Sequence, residues 1–359
     1  MDKKPYVLHN NCMENPHQFP TIVLRGTPKE RGLAHGTAAR ELVVKNIAFY
    51  KTLLKLDDET LRTQAQMYAK KIAAFRPEFL EEMDGIAEGA GVESVYIYML
   101  NARTEILSQT DGVHSECATF YFAQTGLLFE NWDWSEPSKD MTVLLSITLP
   151  NGNNVLTFTE AGILGKIGMS SRGFGVAFNY LFPNRTLDGT PIHALLRALL
   201  ECDSYDAAHA LLSSQEFVGT SGNILLADAH SNATNFELSG SKTTVLPFTG
   251  SYIAHTNHYL GDTPNVLEAG EGFLHNTHAR YTRAQEMLQS TQEFDIETAK
   301  NILGDRVGDG MLCRNFIPED PGDIPFGTIA SIIMDLPGQK MHIATDAPQE
   351  ARVFKTYSL

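Results

Sequence analysis

The amino-acid sequence predicts an α+β fold in which antiparallel sheets pack against helices. Three observations lead to this prediction. Helix-forming patterns fill most of the chain before residue 108, and short apolar runs typical of strands fill most of the chain after residue 116. Two pairs of helices interrupt those strands, whereas a parallel βαβ array would alternate single strands with single helices. The sequence contains neither a GxGxxG segment nor a P-loop, so nucleotide binding is not expected.

The first part of the chain is predicted to be mainly helical. A short strand over residues 21–25 precedes a strong helix start, where Thr27 caps the helix, Pro28 takes its first position and Glu30 completes a capping box. We expect this helix to continue to about Leu54. Further helices are predicted at residues 57–74, 77–89 and 94–107.

A buried β-hairpin is predicted next, and Cys117 opens its first strand. Apolar and aromatic residues run over positions 118–123, the segment 124–126 (Gln-Thr-Gly) makes a turn, and a second apolar run begins at Leu127. The polar segment 109–116 in front of the hairpin is typical of an exposed loop. The cysteine therefore follows directly after a loop.

The remainder of the chain is predicted to alternate groups of strands with pairs of helices. Strands are predicted at residues 142–149, 155–159, 166–170, 175–179, 222–228, 233–237, 243–247, 251–255, 328–335, 340–345 and 351–356. Helices are predicted at residues 192–200, 204–213, 278–288 and 296–303.

Composition limits the classes of function. The chain has 359 residues, 43% of them hydrophobic and 20% charged, as is usual for a globular protein. Its formal net charge of −15 argues against nucleic acid or an anionic membrane as a partner. Four widely spaced cysteines predict neither a zinc site nor a disulfide framework. With no visible signal peptide and no apolar run long enough to span a membrane, we expect a cytoplasmic location.

Cys117 is the first candidate for a catalytic residue. If the bond between Glu116 and Cys117 is cut, the cysteine becomes N-terminal and carries its own base. A free thiol has a pKa of about 8.5 and an α-amine one of about 7.7–8.0, so the amine can accept the thiol proton near neutral pH. The alternative is an ordinary buried cysteine, which behaves as a small hydrophobic residue.

Two further positions carry polar groups that suit this chemistry. Asp133 ends the second strand of the hairpin, and antiparallel pairing returns that strand end toward Cys117, where a carboxylate could orient an ammonium group. Asn257 follows a strand, and its amide hydrogens could stabilise an oxyanion. Each also has a simpler interpretation, as a turn residue or a structural hydrogen-bond partner.

Histidine and arginine side chains complete the candidates. His255 and His258 flank Asn257, and without a nearby acidic cluster we expect them to line a site or to support the structure rather than to bind a metal. Arg314 lies beside apolar residues and could pair with Asp133 or with a substrate carboxylate. A surface arginine is the alternative.

Taken together, these segments resemble the acyl-coenzyme A:6-aminopenicillanic acid acyltransferase family of self-processing N-terminal-nucleophile amidohydrolases. The resemblance covers most of the chain. The segments that carry it, in order, are Arg25–Gly32, Leu100–Glu105, Glu116–Thr119, Asn131–Trp134, Gly162, Gly168-Met169 and His255–His258.

The resemblance implies a four-layer αββα fold, with antiparallel sheets between helical layers, made as one precursor that cuts itself before Cys117. The products would be residues 1–116, which are mostly helical, and residues 117–359, the catalytic portion, together forming one structural domain. Glu116 departs from the glycine of the penicillin-forming member, and this change is expected to alter the rate of self-cleavage.

The resemblance also implies roles for individual residues. Cys117 matches the nucleophile of both reactions, Asp133 the aspartate that supports the new amino terminus, and Asn257 the oxyanion-hole asparagine. Arg314 matches a catalytic arginine, in a segment whose spacing varies. The residues expected to contact substrate are Thr119, Trp134 and His255.

The reaction expected from this set passes through an acyl-enzyme. Cys117 would take the acyl group of a small N-acyl amide or acyl-peptide and pass it to water or to an amine. Hydrolysis and acyl transfer share every step but the last, so both stay open. No metal or cofactor is expected, and a coenzyme A thioester is a candidate acyl donor. The only other chain expected in the assembly is the second product of self-cleavage.

Two other functions stay open at this stage. One is an amidase of the choloylglycine hydrolase or penicillin V acylase type, in which the cysteine lies near the start of the chain; the 116 residues before Cys117 argue against it. The other is an uncut and catalytically silent homologue in which Cys117 is simply buried.

Overall fold

The computed structural model describes residues 19–109, 116–182, 187–214, 219–261, 271–316, 324–345 and 352–359. Residues 1–18 and most of the expected loop at 109–116 lie outside these ranges. The described helices are α1 (Pro28–Ala38), α2 (Arg40–Leu54), α3 (Asp58–Phe75), α4 (Pro77–Ala90), α5 (Ser94–Asn101), α6 (Arg103–Leu107), α7 (Ile192–Leu200), α8 (Tyr205–Ser213), α9 (Glu271–Ser290) and α10 (Ile296–Leu303).

Strands make up most of the second part of the chain, as predicted. They are β1 (Thr21–Leu24), β2 (Glu116–Phe122), β3 (Leu127–Ser135), β4 (Thr142–Thr148), β5 (Asn154–Glu160), β6 (Ile167–Ser170), β7 (Phe174–Asn179), β8 (Ser221–Asp228), β9 (Ala233–Ser239), β10 (Thr243–Pro247), β11 (Tyr252–His255), β12 (Phe326–Asp335), β13 (Lys340–Ala344) and β14 (Lys355–Ser358).

The strands form two sheets that pack face to face. One sheet has the order β1-β4-β5-β6-β7-β8-β9-β10 and the other the order β11-β2-β3-β12-β13-β14. The pairing of β1 with β4 is parallel, and the other described pairs are antiparallel. Strands β2 and β3 lie against β7, which brings the middles of the two sheets together.

Helices cover the outer face of each sheet, so the fold is α+β with the four layers αββα. Helices α7 and α8 pack on the eight-stranded sheet, and α5 joins this layer through α7. Helices α9 and α10 pack on the six-stranded sheet, against β2, β3, β11 and β12. No helix in the described part of the chain is long and apolar enough to cross a membrane.

The hairpin of β2 and β3 forms as predicted, and its register determines which side chains face which layer. Cys117 pairs with Trp132, and Thr119 pairs with Glu130. Because alternate residues of a strand face opposite sides of a sheet, these four side chains point toward the eight-stranded sheet. Asp133, one position along from Trp132, points instead toward the layer of α9.

Two of the predicted helices are broken in the structure. The helix expected over residues 28–54 ends at Ala38, and a new one begins at Arg40; Ala39 has φ −111° and ψ 22°. The break lets α1 pack on α4 while α2 turns toward the end of β5. Similarly, the helix expected over 94–107 breaks at Ala102. Both breaks satisfy tertiary contacts, which local helix propensity does not reveal.

Candidate active site

Cys117 is fully buried at the start of β2, and polar groups hold its backbone on both sides. Its amide N–H donates to Oδ1 of Asn257 at 2.8 Å. Its carbonyl oxygen accepts a hydrogen bond of 2.9 Å from Nη1 of Arg280, and Nη2 of the same arginine donates to Asn257 Oδ1, also at 2.9 Å. The peptide bond between Glu116 and Cys117 is intact, so this is the arrangement of the uncut chain.

Asn257 is itself fixed by its neighbours. Its backbone N–H donates to Thr277 Oγ1 at 2.8 Å, and its side-chain Nδ2 donates to the carbonyl oxygen of Tyr180, also at 2.8 Å. The amide group therefore connects β2, α9 and the segment after β7. In the uncut chain its oxygen, rather than its NH₂ group, faces the backbone nitrogen of Cys117.

The thiol of Cys117 is neutral in this environment. Burial, together with the nearby Glu130, raises the pKa of Cys117 to about 12, while Lys166 acts in the opposite direction. At pH 7 only about one thiol in 10⁵ is then ionised. If Cys117 is to act as a nucleophile in the uncut chain, another group has to accept its proton.

Glu130 and Lys166 are the ionisable groups that share the buried space of the thiol. Oε2 of Glu130 accepts a hydrogen bond of 3.0 Å from the backbone N–H of Phe178 in β7, and burial raises the pKa of this carboxyl group to about 8. Burial lowers the pKa of Lys166 to about 8. The Lys166 ammonium lies 3.4 Å from the centre of the Trp132 ring.

The first helices hold the loop that carries Lys166. Asn101 donates to the carbonyl oxygen of Gly162 and accepts the N–H of Leu164, each at 2.9 Å, and His35 accepts the N–H of Gly162 at 3.1 Å. Gly162 has φ +91°, a conformation that side-chain-bearing residues seldom adopt. Segments that carried the family resemblance thus meet here and set the position of Lys166.

A small cavity lies beside these groups. Arg103 borders it from α6, and its guanidinium pairs with Glu160 at 2.5 Å. Trp134, which we expected to contact substrate, also lines it and donates from Nε1 to Tyr50 at 3.0 Å. The lining residues are Arg103, Thr104, Leu107, Trp134, Lys166, Phe178, Tyr180 and His193.

Asp133 lies on the opposite face of the hairpin, near the bond that would be cut. It pairs with Glu116 across the ladder, and Oδ1 accepts a hydrogen bond of 2.6 Å from Thr328 Oγ1. Oδ2 is buried without a hydrogen-bond partner among the described residues. Burial raises the pKa of Asp133 to about 7, while Arg280 and Arg352 act to lower it.

Thr119 and His255 belong to hydrogen-bond networks between strands. Thr119 Oγ1 donates to Asn179 Oδ1 at 2.7 Å, and both residues are buried. The His255 ring lies between Glu237 Oε1, at 2.8 Å, and the carbonyl oxygen of Thr256, at 2.7 Å. Neither residue lines the cavity described above, and their contact with substrate stays a prediction.

The backbone of Arg314 is connected to Asp133 through Thr328. Its N–H donates to Thr328 Oγ1 at 2.8 Å, and its carbonyl oxygen accepts the N–H of Thr328 at 3.0 Å. Thr328 in turn holds Asp133. The arginines that influence the pKa of Asp133 are Arg280 and Arg352, so the pairing of Asp133 with Arg314 stays a prediction.

The sequence analysis missed three residues of this site. Arg280 lies 163 positions after Cys117, on a helix whose start was placed at residue 278, and no motif marked it. Glu130 and Lys166 stood inside segments that were noted for other reasons. A charged residue inside a run of buried strand or glycine-rich loop was the available signal, because such groups are seldom buried unless paired.

No group of three or more His, Cys, Asp or Glu side chains in the described ranges is placed to hold a metal ion. His258 and His278, whose ring centres lie 3.9 Å apart, do not belong to such a group. Burial lowers the pKa of His258 to about 3, so the ring is neutral at physiological pH.

Among solved structures, the comparison matches a variant of the conjugated bile acid hydrolase from Clostridium perfringens, with 13% identity and a TM-score of 0.45, covering 68% of this chain and 92% of that one. Penicillin V acylase from Agrobacterium tumefaciens gives 13% identity and a TM-score of 0.45, covering 68% of this chain and 86% of that one.

Sequence comparison gives a stronger match. The family model described as acyl-coenzyme A:6-aminopenicillanic acid acyl-transferase matches residues 123–350. The 40 kDa form of acyl-coenzyme A:6-aminopenicillanic-acid-acyltransferase from Emericella nidulans is 30% identical over 338 residues, which cover 91% of this chain and 92% of that protein. The chain therefore belongs to the acyl-coenzyme A:6-aminopenicillanic acid acyltransferase family.

Proposed function

We propose that this chain is the precursor of an N-terminal cysteine enzyme that cuts its own Glu116–Cys117 bond and then acts on small N-acyl amides or acyl-peptides. The observation that carries the proposal is the setting of Cys117. Its backbone is held by Asn257 and Arg280 at the first residues of a strand, and its thiol shares a buried space with ionisable groups. Family membership supports the same chemistry.

Self-cleavage would proceed in two steps. The sulfur of Cys117 attacks the carbonyl carbon of Glu116, the carbon–nitrogen bond breaks, and the nitrogen takes up the proton that the thiol gave up. The acyl group is then held as a thioester on the sulfur. Water attacks this thioester, the carbon–sulfur bond breaks, and the products are a carboxylate at Glu116 and a free thiol and amine at Cys117.

In the cut enzyme the new α-amine would serve as the base for Cys117. Oδ2 of Asp133 has no hydrogen-bond partner among the residues that the structure describes, and Asp133 lies opposite Glu116 in the ladder, so it suits a role as acceptor for the resulting ammonium. The NH₂ group of Asn257, which donates to the carbonyl oxygen of Tyr180 in the uncut chain, would stabilise the oxyanion of the substrate reaction. Donors aimed at a developing oxyanion commonly contribute about 10²–10³ to the rate.

The acyl-enzyme can pass its acyl group to water or to an amine. A relative is named as an acyltransferase that uses acyl-coenzyme A, so a coenzyme A thioester is a reasonable donor to test beside N-acyl amides. An acyl group retained on the fragment that begins at Cys117 would reveal the acyl-enzyme by its added mass. Product analysis with an added amine then distinguishes the two reactions, because only acyl transfer gives the acylated amine.

Intact-mass spectrometry under denaturing conditions tests the proposal. We expect two fragments that meet between Glu116 and Cys117 in the wild-type protein, and one full-length mass for Cys117→Ala. Cys202→Ala is the matched control, because Cys202 is a partly buried free cysteine on the opposite side of the eight-stranded sheet.

A single full-length mass for the wild-type protein over several days would contradict the proposal and favour an uncut, silent homologue. Cleavage that persists in Cys117→Ala would also contradict it, since another group or a protease would then be responsible. Cleavage in Cys202→Ala at the wild-type rate is expected.

A further inference from the structure

Self-cleavage requires a group that accepts the thiol proton of Cys117 before any free amine exists. Before the bond is cut, the nitrogen of Cys117 is an amide that donates to Asn257, so it cannot accept the thiol proton. With its pKa raised to about 12, the buried thiol is protonated at neutral pH. A different group must take this proton in the precursor.

We propose that the carboxylate of Glu130 is the base that accepts the Cys117 proton during self-cleavage. This inference rests on the proposed self-processing and adds a catalytic residue to it. The β2–β3 register places Glu130 diagonally from Cys117 on the same face of the hairpin. Cys117 and Glu130 also act on each other's pKa, as expected of neighbouring groups on one face of the hairpin.

The carboxyl group of Glu130 is both fixed and available. Oε2 is held by the N–H of Phe178 at 3.0 Å. Oε1 is buried, and in the part of the chain that the structure describes it has no hydrogen-bond partner. A buried acceptor without a hydrogen bond lowers the stability of the fold, so its presence in a native protein calls for an explanation. A role in accepting the thiol proton would explain why this oxygen is kept without a partner.

Asp133 is a second acidic residue near the thiol among those described, but its geometry is less suitable. Its side chain points to the opposite face of the hairpin, toward Thr328 and Arg280, and it approaches the sulfur through its backbone N–H. Asp133 is thus placed to support an amine, and Glu130 to take a proton from the thiol.

The proton balance of the step is complete within the site. Glu130 takes the proton as sulfur bonds to the Glu116 carbon, and returns it to the nitrogen of Cys117 when the carbon–nitrogen bond breaks. Glu130 ends the step as it began, as a carboxylate. In the cut enzyme the amine takes over the role of base, so Glu130 acts once in the life of each chain.

The pH dependence follows from the groups that face Glu130. These are Lys166 from the loop before β6, the thiol from β2 and Asp133 from its own strand, while β7 contributes the N–H of Phe178. Burial raises the pKa of Glu130 to about 8, so its carboxylate fraction grows as pH rises to that value. The cleavage rate should rise about tenfold per pH unit below pH 8 and then level off.

The experiment compares cleavage rates of full-length chains made by cell-free translation and then moved to buffers between pH 5.5 and 9.5. Fragments are measured by intact mass. Glu130→Gln should cleave about 10²–10³ times more slowly, in the range that general-base catalysis supplies. Its rate should keep rising above pH 8, since only hydroxide then removes the proton. Glu130→Asp should be slower than wild type but keep the level region.

Glu105→Gln is the matched control, because Glu105 is fully buried with a pKa raised to about 7 and bonds Ile192 and Thr220 rather than the thiol. It should cleave like wild type. Circular dichroism checks the folding of each variant; should Glu130→Gln fail to fold, loss of the level region in Glu130→Asp would refute the inference.

Wild-type rate and profile in Glu130→Gln would overturn the base role while leaving self-processing intact. A slower Glu130→Gln that still levels off at pH 8 would also overturn it, because Lys166 titrates in the same range and would then account for the profile. An uncut wild-type chain would instead remove the proposed function itself, and this inference with it.

Discussion

At the scale of single residues, Arg280 connects Cys117 and Asn257 by hydrogen bonds from one guanidinium group. One arginine holds the Cys117 carbonyl and the Asn257 amide oxygen, and its Nε donates to Asn276 at 2.7 Å. A guanidinium suits this task because its donors lie in one plane at fixed spacing. The positions of Cys117, the candidate nucleophile, and of Asn257, the candidate oxyanion donor, are therefore coupled through α9.

Arg280→Met should slow self-cleavage by about 10-fold to 100-fold. The substitution keeps most of the apolar stem but leaves two buried acceptors without their charged donor, and each such hydrogen bond is worth about 1.5–3 kcal/mol. Time courses by intact mass measure the effect, with unfolding curves recorded for each variant.

Arg283→Met serves as the control for this prediction. Arg283 lies three residues further along α9 and pairs with Asp305 at 2.7 Å, away from Cys117. Equal slowing in the two variants would mean that α9 stability, rather than the contacts of Arg280, sets the rate.

At the scale of elements, the crossing of α1 and α4 depends on glycines. A Cβ on Gly36 would lie 2.0 Å from the carbonyl oxygen of Ile86, and one on Gly32 would lie 1.9 Å from that of Glu82. The helices therefore touch backbone to backbone. This contact positions His35, whose ring accepts the N–H of Gly162 in the loop of Lys166.

Gly36→Ala should lower the free energy of unfolding by about 1–3 kcal/mol, as overpacking in a core does. The backbone of α4 cannot move aside as a flexible side chain would. Urea unfolding in the uncut Cys117→Ala background gives the measurement, because a cut chain would not unfold reversibly as one unit.

The control substitution on the same helix is Thr37→Ala. Thr37 is exposed, and alanine is the better helix former. The free energy of unfolding of this variant should therefore change by no more than a few tenths of a kcal/mol. Stability of Gly36→Ala equal to that of Thr37→Ala would show that the two helices can separate without cost.

At the scale of the whole molecule, the segment before Cys117 is built into the fold. Strand β1 pairs with β4, and the buried Glu82 of α4 pairs with Arg197 of α7 at 2.9 Å. Tyr50 donates to Glu160 of β5 at 2.7 Å. Residues on the two sides of the expected cut therefore share one core.

The two products of self-cleavage should stay associated after the cut. The contacts above connect buried surfaces, and cutting one bond at the start of β2 removes none of them. Native gel filtration should give one peak, at the volume of uncut Cys117→Ala, and denaturing mass spectrometry of that peak should give two masses. Separate elution of residues 1–116 would contradict the expectation.

Much of this fold followed from local patterns. The alternation of apolar residues and the turn at Gly126 predicted the β2–β3 hairpin, and its register then determines that Cys117 and Asp133 face opposite layers. The capping box at Thr27 predicted the start of α1, and it forms. These features depend on residues close together in the chain, so the sequence alone determined them.

Tertiary structure decided what surrounds the cysteine. Arg280 comes from α9 and Lys166 from the loop before β6, and only the packing of the layers brings them to Cys117. Glu130 lies on the same hairpin as Cys117, so its position follows from the β2–β3 register. The breaks at Ala39 and Ala102 arise in the same way, because helix propensity is weak beside the free energy of buried contacts. The sequence identified the candidate nucleophile, whereas long-range packing supplied Asn257 and Arg280, the groups that hold its backbone.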